Sequence, residues 1–237
     1  MGPKMEALQP TERTRLKRMP QRASYDREIV YQIIDNALFC HVGFVHNEAP
    51  LVVPTLHVRL GERLYVHGSA ASRMLRTAAG GVPLCVTVTH ADGLILARSA
   101  FHHSINYRSA VILGVAEEVT DQDAKLRALH ALVEHVFPGR WQDARPPHPK
   151  ELAATSVLSL PITEASAKIR TGGPSEEAED YALPIWAGVI PLKIATGTPV
   201  ADDRLVGGVE IPQYVENYLL PDARRNRNGK AGGTNLR

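Results

Sequence analysis

Leu64-Tyr65-Val66-His67-Gly68-Ser69-Ala70-Ala71-Ser72-Arg73 runs from an alternating apolar strand, through a glycine, into a helix that opens with two serines and an arginine in its first turn. Free backbone N–H groups at a helix start, two hydroxyls and one fixed positive charge make a seat for a phosphate. The same residues also suit an ordinary serine N-cap beside a surface arginine. The spacing is not that of a Walker loop, and the chain has no Gly-rich dinucleotide fingerprint.

Upstream, Ser24 or Asp26 caps a helix with Ile29, Val30, Ile33, Ile34, Ala37 and Leu38 along one face. Strands then follow at Phe39 to Val45, Pro50 to Val58 and Arg63 to His67, joined by polar turns at 46–48 and 60–62, as in an antiparallel meander. Downstream, a short helix over Ala70 to Ala79 gives way to strands at Leu84 to Thr89, Leu94 to Phe101 and Tyr107 to Val119, with an Ala91-Asp92-Gly93 turn between the first two. Thr120-x-x-Asp123 caps a second helix that buries Leu126, Leu129, Leu132, Val133 and Val136. Further strands are expected at Ser156 to Pro161, Ala165 to Arg170 and Trp186 to Ile194. The pattern predicts a mainly β, α+β fold: an antiparallel barrel with helices at its ends. Residues 1–22 read as a flexible N-terminal arm, 23–195 as the barrel domain and 196–237 as a partly disordered C-terminal extension.

Two more segments are rich in groups that bind ligands. Between apolar strands lies Arg98-Ser99-Ala100-Phe101-His102-His103-Ser104-Ile105-Asn106-Tyr107-Arg108-Ser109, which is unusually polar for a hairpin. His102 and His103 are adjacent, so on a strand they point to opposite faces and do not share one metal ion; no metal site is expected. Arg108 also suits an exposed strand position whose stem covers core. In Ser166-Ala167-Lys168-Ile169-Arg170, Lys168 and Arg170 fall on one strand face, where two cations repel unless an anion or solvent covers them. Trp186, before Ala187-Gly188, offers a flat aromatic for packing or for a ligand.

At 237 residues and 44% hydrophobic, the chain can bury a proper core. A formal charge of +2 is a mild excess of base, much of it in Arg13, Arg15, Lys17, Arg18, Arg224, Arg225 and Arg227. No stacking aromatics are interleaved with these charges, which argues against nucleic acid as a partner. No signal peptide or membrane span is legible. Cys40 and Cys85 lack metal-ligand spacing and read as small buried residues in a reducing compartment, so a cytoplasmic location is expected.

Taken in order, these motifs resemble the pyridoxamine 5′-phosphate oxidase-like superfamily of FMN-binding split barrels, in its flavin-nucleotide-binding and nitroimidazole-reductase-like branch. The likeness spans roughly residues 22–192. It implies a homodimer holding FMN at the subunit interface. By that likeness His67, Ser69, Ser72 and Arg73 bind the phosphate, and Val53, Pro54 and Thr55 lie beside the flavin ring. Tyr107, Arg108 and Ser109 reach the cofactor, and Lys168, Arg170 and Trp186 complete the site. Pyridoxamine phosphate oxidases proper carry an arginine and a lysine on the strand before the phosphate turn. Here that strand reads Val52-Val53-Pro54-Thr55-Leu56-His57, which argues against vitamin B6 oxidase activity. The expectation is therefore an FMN-dependent oxidoreductase moving hydride between flavin N5 and a small planar molecule, with His57, His102 and His103 as candidates for proton delivery. A flavin-binding protein without turnover, and a heme-binding split barrel, are the alternatives.

Overall fold

In the computed structural model, which describes residues 6–224, a two-residue strand β1 (Ala23–Ser24) leads into helix α1 (Arg27–Asp35). Asp26 caps that helix by accepting from the Glu28 N–H at 2.8 Å. Val30, Ile33 and Ile34 recur at helical spacing and are buried. The meander follows as β2 (Phe39–His46), β3 (Ala49–Leu60) and β4 (Arg63–Ser69). Asn47 and Glu48 take positive φ in the β2–β3 turn, the backbone twist a two-residue hairpin requires. Next come α2 (Arg73–Ala79), β5 (Pro83–Leu96), β6 (Ser104–Val115), the short β7 (Glu117–Glu118) and α3 (Gln122–Val136). Two brief helices, α4 (Arg140–Asp143) and α5 (Pro149–Ala153), precede β8 (Thr155–Pro161), β9 (Glu164–Arg170), β10 (Gly188–Pro191) and α6 (Gln213–Glu216).

The strands order as β1-β9-β6-β5-β2-β3-β4-β8-β7, with β10 also on β5, and the pairings are antiparallel. Strand β3 joins two sheets, pairing with β2 through residues 49–56 and with β4 through residues 57–60. This is the split barrel the sequence predicts. Val42, Val86, Ile112 and Ala165 stand opposite one another on successive strands and are fully buried, forming a row of the core.

Several expectations are corrected. The Ala91-Asp92-Gly93 turn is a β-bulge inside one long strand, and β5 keeps pairing with β6 on both sides of it. A Cβ on Gly93 would lie 2.9 Å from Val189 Cγ1, so glycine is what lets β10 lie against the bulge. Residues before Arg22 are anchored rather than loose: Leu8 is in the main core, its N–H donates to Tyr25 O at 2.8 Å, and Arg13 pairs with Glu164 on β9. Cys40 is buried, which pushes its thiol up to about 12, but Cys85 is exposed, because strand alternation turns Leu84 and Val86 inward instead. Helix α3 is capped by Asp121, not Thr120, and buries Ala128, Leu132 and Val136 while Leu126 faces outward. The strand expected from Trp186 is confined to Gly188–Pro191. Arg225, Arg227 and the end of the expected C-terminal extension lie outside the described residues. No described helix is long and apolar enough to cross a membrane.

Candidate functional site

Past His57, strands β3 and β4 part. β4 continues beside β8, with His67 opposite Val157 and Ser69 opposite Thr155, while β3 runs back along β2. Over residues 51–56 the edge of β3 turned away from β2 has no strand partner among the described residues. Backbone donors and acceptors on that edge are therefore free to bind a ligand. Val53 packs partly against the core, Pro54 is exposed and Thr55 is half-buried. Pro54 lacks an N–H and sits on an open edge, where proline is tolerated.

Across the fork, His67 is half-buried and its Nδ1 has no hydrogen-bond partner, while burial pushes its pKa down. Ser69 Oγ accepts from the Ala71 N–H at 3.2 Å. Ser72 occupies the N-cap of α2, yet its hydroxyl makes no cap bond. Arg73 follows, exposed and without an ion pair among the described residues. A Cβ on Gly68 would lie 3.1 Å from Leu75 Cδ1, so glycine allows α2 to close on β4 and holds Ser72 and Arg73 beside the fork.

A second group lies on the neighbouring sheet. Tyr107 stands opposite Arg170, and Ser109 opposite Lys168, so the cross-strand pairs share faces. Ser109 Oγ lies 3.2 Å from Thr89 Oγ1. Arg170 is buried, and Lys168 is half-exposed. Arg108 points elsewhere: it grips Asp92 at 2.9 and 2.8 Å and Asp222 at 3.1 Å, and the Asp92 hydrogen bonds raise its pKa. Both carboxylates escaped sequence reasoning, because the bulge at 91–93 and the returning C-terminal segment are tertiary features. Arg108 is thereby a structural residue rather than an open anion ligand.

The three histidine candidates separate. His57 is fully buried, with Nε2 3.0 Å from Ile34 O, and is corrected out of any proton-delivery role because no solvent or ligand reaches it. His103 Nδ1 accepts from the Ala97 N–H at 3.0 Å, which leaves its exposed Nε2 to carry the proton. His102 lies beside it, half-buried, its ring edge-on to Phe101.

The Trp186 ring lies across Gly188 and is 66% exposed. Phe101 is 89% exposed, and Tyr181, Leu183 and Ile185 are exposed as well. Glu176 ties their two loops together, accepting from Ser99 N–H at 3.2 Å and from Arg98 Nη1 at 2.9 Å. Apolar side chains held out on pinned loops mark a contact surface.

A family model described as pyridoxamine 5′-phosphate oxidase matches residues 26–169. Among solved structures, the flavocytochrome Anf3 from Azotobacter vinelandii is 42% identical, with a TM-score of 0.85 over 89% of this chain and 98% of that one. The FAD and heme binding protein from Mycobacterium smegmatis is 37% identical, with a TM-score of 0.79 over 83% of this chain and 96% of that one. A candidate 5-nitroimidazole antibiotic resistance protein from Bacteroides thetaiotaomicron, 22% identical over 62% of this chain and 86% of that one, shares the fold with a TM-score of 0.52. No curated protein matches the chain.

Proposed function

The chain belongs to the pyridoxamine 5′-phosphate oxidase-like family of split barrels, and from that premise we propose that it is a flavin-dependent oxidoreductase whose cofactor lies in the fork between β3 and β4. The observation that carries this reading is the fork itself: an unpaired strand edge facing a half-buried imidazole whose Nδ1 has no partner, with an uncommitted hydroxyl and guanidinium at its end. These residues fit a flavin. Ser69, Ser72 and Arg73 would hold its phosphate, the backbone of residues 53–55 would meet the polar edge of the ring, and His67 Nδ1 would accept from it. When bound, the flavin supplies two-electron chemistry at N5. The chain binds and orients the ring, and His102, half-buried beside His103, is the candidate for moving a proton to a small planar substrate.

The flavin is proposed to be FMN or its dinucleotide FAD, both of which present the same phosphate to Ser69, Ser72 and Arg73. A homodimer completes the site. The exposed Phe101, Tyr181, Leu183, Ile185 and Trp186 need covering, and in a second copy of the chain they find it. Trp186→Ala is expected to weaken flavin retention or dimerisation about three- to tenfold, as loss of a peripheral aromatic anchor does. Gel filtration and dilution of the loaded protein measure both, and no change in either would return Trp186 to ordinary packing.

A second reading adds heme, because two of the relatives, matching 89% and 83% of this chain, are a flavocytochrome and a FAD- and heme-binding protein. An apolar cavity of about 800 Å³ lies between the end of α3 and the C-terminal segment, lined by Val136, Phe137, Tyr214, Tyr218 and Leu220 among others. None of its lining residues is a histidine, and the Tyr218 hydroxyl is already donated to Val136 O at 2.6 Å. That cavity therefore does not fit a histidine-ligated heme within one chain. The test of both readings is the absorption spectrum of protein purified from cells, with any released cofactor identified by mass. Flavin bands support the first reading, an added Soret band the second, and a colourless protein that refuses FMN and FAD overturns both.

A further inference from the structure

Three cations meet at the β1–β9–β6 edge, and among the described residues none of them has a carboxylate partner. Lys168 stands opposite Ala23 of β1 and Ser109 of β6, Arg170 stands opposite Tyr107, and Arg22 directly precedes β1. Arg170 is 7% exposed, and its guanidinium donates to neutral acceptors, Asn106 Oδ1 at 2.8 Å and Gly173 O at 3.4 Å. Burial, and then the like charge of Arg22, press its pKa below the usual arginine range. Among the described residues no Asp or Glu forms an ion pair with Arg22, Lys168 or Arg170. Residues 1–5 and 225–237 contain neither Asp nor Glu, so they bring no acidic side chain either. Elsewhere this chain gives arginines their carboxylates, as in Arg59–Asp35, Arg98–Glu176 and Arg108–Asp92. A buried cation satisfied only by amide oxygens, with two more cations beside it, is costly unless an anion completes it.

We infer that this face is a second oxyanion site, separate in the fold from Ser69, Ser72 and Arg73, which takes a phosphate-bearing ligand on Arg170, Lys168 and Arg22 with the Tyr107 and Ser109 hydroxyls alongside. Guanidinium and ammonium groups supply the donors, and phosphate oxygens supply the missing acceptors. The phosphate has two possible sources: the extra phosphate of a dinucleotide flavin, or a phosphate carried by another ligand. The site itself does not depend on the flavin reading, because it follows from charges of this chain.

The test uses the full chain, with inorganic pyrophosphate, FMN and FAD as probes. Pyrophosphate is expected to bind saturably and to raise the melting temperature with concentration. Lys168→Ala and Arg22→Ala, both on accessible side chains, should each weaken that binding about tenfold, the scale of one charged hydrogen bond. Arg170 is spared, since its removal strands Asn106. If the variants lose FAD affinity and keep FMN affinity, the flavin dinucleotide is the source. If pyrophosphate binding falls while both flavins bind as before, another ligand carries the phosphate. Wild-type protein that ignores pyrophosphate, or variants that bind it as tightly as wild type, would overturn the site. Wild-type protein that binds pyrophosphate but neither flavin would overturn the flavin reading and leave this one standing.

Discussion

Acidification from pH 6.5 to pH 4 should remove about 3 kcal/mol of stability through His57 alone. Its Nε2 lies 3.0 Å from Ile34 O, so that nitrogen carries the proton, and Nδ1 is buried without a partner. Protonating Nδ1 would place a charge and an unmatched N–H in the core. Burial accordingly pulls the pKa from 6.5 down to about 4, and the neighbouring His135 adds to the shift. Between these values the unfolded chain binds a proton that the folded chain refuses, so stability rises with pH there and is lost as pH falls. Above pH 6.5 the contribution is complete, and below about 4 none is left. His57→Gln keeps a donor for Ile34 O but cannot titrate. Urea melts of the two proteins at pH 7, 5.5 and 4.5 should show the wild type losing more stability over this range, although the variant is the less stable protein at pH 7. Parallel losses would acquit His57 and point to His67, whose burial shifts it the same way.

The same histidine marks where sequence reasoning stops. His57 lies in a stretch whose alternation makes a strand legible, yet alternation cannot say that α1 would press its C-terminal carbonyls onto the ring. His90 and His135 are used likewise, with Nε2 2.9 Å from Ile33 O and 2.8 Å from Ala37 O. Two of the three imidazoles thus meet carbonyls in the last turn of α1, and His135 meets one just past its C-cap. What was legible depended on local periodicity: α1, the β2–β3–β4 meander, β8 and β9 follow from patterns only a few residues long. What was not legible depended on contacts far along the chain. Asp92-Gly93 reads as a turn because that pair favours one, and it becomes a bulge only because β10 lies against it. Arg22, placed in a loose arm by its polar neighbours, gains meaning once β1 sets it beside β9. The candidate site divides the same way. His67, Ser69, Ser72 and Arg73 are contiguous and were found together, whereas Arg108 reads as available only while Asp92 and Asp222 cannot be foreseen.

Replacing Arg73 with alanine should weaken FMN and FAD binding by about 1.5–3 kcal/mol, the worth of a hydrogen bond to a charged group. In dissociation constants that is between about tenfold and somewhat over a hundredfold. The side chain is exposed and has no ion pair among the described residues, so its removal leaves no orphaned partner and little strain. Its effect on binding can therefore be read without a folding defect. Three controls sharpen the reading. Arg76, exposed on the same helix one turn on, should tolerate alanine with no change in flavin affinity. Riboflavin lacks the phosphate, so it should bind wild type and Arg73→Ala alike. Raising the salt should shrink the difference between the two proteins for FMN, because the charge works near solvent. Equal losses for FMN and riboflavin would mean that Arg73 acts through the shape of α2 and not through the phosphate. Unchanged FMN affinity in Arg73→Ala, together with a loss in Lys168→Ala, would move the flavin phosphate to the β9 cations and leave Ser72 as a plain helix cap.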